Sequence, residues 1–175
     1  LYKYVTTKEE IYLEICSDKM HSYFDDLFAA FPEGKTWTPD EWAGRWADVL
    51  NDHRDYFRYS DILCTIIEVH VSACRLACFK KSYFTGKDAF VRLMADHSDH
   101  DASEIFLAVL YHASGLCGST HSNPVMKEAL KIAGIPHKER DFRLSMYEFI
   151  RMNLWYYLES PTGSPTAGNN TRSEV

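Results

Sequence analysis

Ile105-Phe106-Leu107-Ala108-Val109-Leu110-Tyr111-His112-Ala113-Ser114-Gly115-Leu116-Cys117 is the stretch that decides the fold. It is longer than an ordinary strand and holds no Pro, so it reads as a helix. Apolar side chains fall on nearly every face of that helix. Such a helix needs neighbours around it, which puts it in the middle of a bundle. Asp101 or Ser103 is placed to cap its start, and Gly115 and Gly118 suit its exit.

The flanking segments repeat the helical period. Upstream, Ile11, Ile15, Phe24, Leu27, Phe28 and Phe31 recur near every 3.6 residues, behind a Thr6 or Thr7 cap. Phe31-Pro32-Glu33-Gly34 stops that helix. Thr38-Pro39-Asp40-Glu41 opens a second, with Trp42, Trp46, Val49 and Leu50 on one face. A third is expected over residues 60–79, and a fourth from Thr85-Gly86-Lys87-Asp88 with Phe90, Leu93 and Met94 inward. Downstream, Ser122-Asn123-Pro124 starts a sixth, Gly134-Ile135-Pro136 ends it, and a seventh spans 138–158. From Ser160 onward Ser, Pro, Thr, Gly and Asn dominate. The expected architecture is all-α: one helical domain over 1–159, about seven helices around the central one, and a flexible polar tail over 160–175.

A chain of 175 residues with 46% hydrophobic content fills one core. The net charge is −6 and the longest run of Lys or Arg is Lys80-Lys81, which argues against nucleic-acid binding. No segment reaches the ~18 apolar residues of a membrane span. The five Cys are odd in number and sit in apolar runs, the pattern of reduced thiols inside a cell.

No catalytic constellation emerges. His97 and His100 in Asp96-His97-Ser98-Asp99-His100-Asp101 lie three apart, but a second group of metal ligands is missing. Cys117 lies near His112 and His121, yet buried structural Cys is the simpler reading. Cys74-x-x-x-Cys78 is spaced for one helix face, not for a zinc turn. Asp25-Asp26 reads as a solvated face, and no glycine-rich phosphate loop exists. The expectation is a non-enzyme without cofactor that acts through its surface. The aromatic stripe of Tyr23, Trp37, Trp42 and Trp46 fills a core or lines a groove for a partner helix, and Tyr23, Trp37 and Trp42 are candidate exposed anchors. The end Arg172-Ser173-Glu174-Val175 fits a PDZ ligand through Ser173 and Val175.

Two stretches carry a family resemblance. One is Ala43-Gly44-Arg45-Trp46-Ala47-Asp48-Val49-Leu50 with Asp55 and Arg58-Tyr59; the other runs from Ser103-Glu104-Ile105 through Tyr111 to Gly118 and Asn123-Pro124. Together they resemble the poxviral Bcl-2-like proteins, in fragments covering about half the chain. Ala47-Asp48 is similar to the small-residue–Asp step of the death motif. The Arg that clamps that Asp in cellular members is replaced by Glu104. The resemblance therefore implies a viral protein of the host cytoplasm that inhibits innate immune (NF-kappaB-type) signalling. Its implied partners are host signalling or apoptosis proteins, with Glu104 in the binding groove and a homodimer expected. The alternatives are an apoptosis inhibitor that binds death-motif helices and a cellular helical scaffold with a PDZ-binding tail.

Overall fold

Thr7 opens the first helix: its Oγ1 accepts the Glu10 N–H at 3.2 Å, with Glu9 and Glu10 in the first turn. In the computed structural model, which describes residues 7–95, 102–120, 123–136 and 140–159, seven α-helices follow one another. They are α1 (Lys8–Ala30), α2 (Pro39–Asp52), α3 (Arg54–Ile62), α4 (Ala73–Ala95), α5 (Ala102–Thr120), α6 (Pro124–Ile132) and α7 (Phe142–Glu159). A π-helical turn, Leu63–Ile67, extends α3, and no strand occurs among the described residues. The protein is an all-α bundle, as its periodicity predicts. The tail and the Asp96–Asp101 cluster lie outside the described residues.

The starts of α2 and α6 follow their sequence signals. Glu41 N–H donates to Thr38 Oγ1 at 3.3 Å while Thr38 N–H donates to Glu41 Oε2 at 2.8 Å, a closed capping box. Asn123 Oδ1 accepts the Met126 N–H at 2.8 Å. Gly134, at φ +66°, provides the left-handed residue that ends α6.

The third and fourth helices differ from expectation. The run over 60–79 is divided by the π turn and the bend after it, and α4 continues unbroken through Thr85. Thr85 caps nothing there, because its hydroxyl donates to the Lys81 carbonyl at 2.8 Å within the helix. Gly86 marks close packing instead of a helix start. A Cβ at that position would lie 2.8 Å from the Phe24 ring.

The core forms where α1, α2, α4 and α5 meet. Phe31 stacks on Trp42 with centroids 4.0 Å apart, and Trp46 contacts both Phe90 (5.1 Å) and Phe106 (5.9 Å). α5 packs against α3, α4 and α7 and buries Ile105, Phe106, Val109, Leu110, Ala113, Leu116 and Cys117. It is enclosed on most sides only, since Glu104, Tyr111, Gly115 and Gly118 stay exposed. α2 makes its most extensive contact with α7, reinforced by Asp48–Arg143 and Asp40–Arg151 ion pairs.

Candidate ligand cleft and an open helical face

Residues of α1 and α4 line an open cleft of about 440 Å³. Leu13, Glu14 and Ser17 supply one wall, and Cys74, Arg75, Cys78, Phe79 and Ser82 the other. The α4 positions recur at i, i+4 and i+8, so one helix face provides that whole wall. Leu13 and Phe79 are buried and form the apolar floor, while Cys74 and Cys78 are exposed at the surface. Arg75 Nη1 donates to Glu14 Oε1 at 2.8 Å, and its Nε lies 3.4 Å from Oε1 of the buried Glu10. The volume is within the range that small-molecule sites occupy, roughly 300–1,000 Å³.

Apolar side chains are exposed on α5, α6 and α7 as well. Tyr111 on α5 is 71% exposed, and Leu144, Met152, Trp155 and Tyr156 on α7 are exposed as well. Beyond α5's own neighbouring backbone, no heavy atom of the described residues comes within 4 Å of where a Cβ would stand at Gly115 or Gly118, so α5 is open there. α6 buries no side chain, and its Val125 and Ile132 are about 80% exposed (80% and 79%).

The residues selected from the sequence are dispersed. Tyr23, Trp42 and Trp46 are buried, and the Tyr23 hydroxyl accepts the Trp46 indole N–H at 3.1 Å. Trp37 is partly buried beneath the Arg45 guanidinium, 3.9 Å from its ring. Glu104 is exposed on the open stripe of α5. Ser173, Val175, His97, His100 and His121 lie outside the described residues. Cys117 donates to the Arg54 carbonyl at 3.6 Å, and burial pushes its thiol up to about 11. His112 stacks on Phe149 at 3.9 Å, and burial lowers its pKa. A neutral thiol and a stacked imidazole do not form an activated nucleophile. Among the described residues no three His, Cys, Asp or Glu side chains converge as metal ligands. Sequence reasoning missed the cleft, although the Cys74–Cys78 spacing on one helix face was its visible trace.

A family model of tetracyclin repressor-like C-terminal domains matches residues 17–154. The chain belongs to that family. No match is found among curated proteins. Membership of the tetracyclin repressor-like family overturns the poxviral Bcl-2-like resemblance, and with it the viral inhibitor of innate immune signalling. The apoptosis and PDZ-scaffold alternatives, the host signalling or apoptosis partners and the host-cytoplasm location lose their basis too. The features behind the resemblance have local structural explanations. Ala43 and Ala47 are buried under neighbouring helices, and Asp48 pairs with Arg143. Arg45 donates to the Ala30 carbonyl at 3.3 Å and covers Trp37. Helical period and a small residue before an acid recur in unrelated bundles, so they identify none of them.

Proposed function

We propose that this chain is the effector-binding, dimerising domain of a transcriptional regulator and has no enzymatic activity. The match across residues 17–154 carries the reading. Two features support it. The α1–α4 cleft offers a small ligand an apolar floor and a charged rim. The exposed stripe of α5 offers a second copy of the chain the Tyr111 ring beside the open Gly115 and Gly118. A nine-residue helix such as α6 is marginal without packing, and an association that covers it would stabilise it. DNA contact in such a regulator belongs to a separate domain, consistent with the net charge of −6 here.

Sedimentation equilibrium tests the dimer. Wild type should sediment as a dimer, and Tyr111→Glu as a monomer with an unchanged helical circular-dichroism spectrum. Loss of an interface anchor costs about 2 kcal/mol or more of binding. A monomeric wild-type chain would refute this part. The cleft is tested by melting the protein with a panel of small apolar molecules carrying one polar group. Upward shifts should occur in wild type and vanish in Ser17→Trp, which fills the cleft.

A further inference from the structure

Cys74 and Cys78 are both exposed, both carry free thiols, and both line the same cleft one helical turn apart. Residues at i and i+4 of a helix hold their Cβ atoms about 5–6 Å apart. A disulfide needs about 3.5–4.5 Å between Cβ atoms, so α4 would have to distort to form one. Tetrahedral zinc needs further ligands, and no third ligand converges on the pair among the described residues. A cation that takes two sulfurs in line has a different requirement. With metal–sulfur bonds of ~2.3 Å, its sulfurs stand ~4.6 Å apart, a span that two i, i+4 thiols reach without bending the helix. Leu13 and Phe79 beneath them give a thiolate-bound ion an apolar seat. Arg75, committed to Glu14 at 2.8 Å, closes one side of the cleft.

We infer that Cys74 and Cys78 form a two-thiolate site for a soft d10 cation of the Cu(I) or Hg(II) kind, and that such an ion is a ligand of the regulatory cleft. This rests on reading the cleft as the effector site. On binding, each sulfur donates an electron pair to the cation as its thiol proton leaves to solvent. Two metal–sulfur bonds replace two S–H bonds, and no oxidation state changes. Softness selects the ion, since thiolates prefer Cu(I) to the harder divalent metals.

The full chain is titrated without oxygen, with Cu(I) against a chromophoric Cu(I) chelator and with Hg(II) against excess glutathione. One equivalent should bind in a form that resists competition. Cys74→Ser and Cys78→Ser should each lower the affinity at least about a hundredfold, because either change turns a chelate into a single contact. Cys64→Ser should leave it unchanged. Retention of one ion by Hg(II) but not Cu(I), or the reverse, identifies which cation the span accepts and supports the site. Unchanged affinity in either single variant, or in the double variant, overturns it. If both metals fail while small apolar ligands still shift the melt, the metal site falls and the effector cleft stands. If those ligands fail too, the cleft reading falls with it.

Discussion

Two tyrosines show how one hydroxyl changes sign with its surroundings. Tyr23 is fully buried and its hydroxyl satisfies the Trp46 N–H. Tyr23→Phe leaves that indole N–H unpaired and should cost about 1–3 kcal/mol in urea unfolding. The Tyr12 hydroxyl is buried and has no hydrogen-bond partner among the described residues, while its ring meets Tyr59 edge-on at 5.4 Å. Tyr12→Phe keeps the ring and removes the unmet group, so it should raise stability by about 1 kcal/mol. Both hydroxyls titrate above the usual tyrosine range because burial disfavours the phenolate, Tyr12 at about 12. The folded-state pKa is raised, so this stabilisation is complete below about pH 10, the unfolded value, and is lost as pH rises toward the folded values. Denaturation midpoints should fall from about pH 10 upward, less steeply in Tyr23→Phe. An equal decline in both proteins would refute the assignment.

At the scale of the element, α2 and α4 make opposite points. The carboxylate of Glu41 is held below its ordinary range, first by the Thr38 backbone N–H and then by the Thr38 hydroxyl. A lowered folded-state pKa means that the capping box contributes above the ordinary glutamate range and is lost as pH falls through the folded value. Glu41→Gln should therefore flatten the acid limb of the stability curve, measured by urea midpoints across acidic pH. In α4, helix propensity alone would favour Gly86→Ala by about 1 kcal/mol. The added methyl meets the Phe24 ring, which Phe28 and Phe106 flank at 6.3 and 6.4 Å. Overpacking costs about 1–3 kcal/mol, so the substitution should destabilise. A rise in melting temperature would show that the ring yields.

For the whole molecule, the deciding contact is between α2 and α7, elements distant in sequence. α7 contributes Phe142, Met146, Ile150 and Leu154 to the core. A chain ending before Phe142 would uncover the buried faces of α2 and α5 and should lose its cooperative thermal transition. The Asp48–Arg143 and Asp40–Arg151 pairs sit at the surface, with side chains about half exposed (47–56%). Exposed pairs contribute about 0–1 kcal/mol each, so raising the salt concentration should shift the midpoint only slightly. A steep salt dependence would mean that these pairs, and not apolar burial, hold α7 in place.

The sequence by itself determined the helical class, the capped start at Thr38, the helix starts at Thr6 or Thr7 and at Ser122-Asn123-Pro124, and the apolar character of α5. Those properties depend on residues within one or two turns of each other, where spacing and hydrogen-bonding chemistry suffice. It also displayed the Cys74–Cys78 spacing without its meaning, because a cleft exists only once α1 lies beside α4. Only the tertiary structure decided that Gly86 belongs inside a helix, since the reason is the ring of Phe24 from another element. The same holds for the burial of Tyr23, Trp42 and Trp46 from three helical neighbours, and for the stripe of α5 that remains open at Tyr111 and Gly115. Burial of a side chain is a property of what packs over it, and helical periodicity records only which residues share a face.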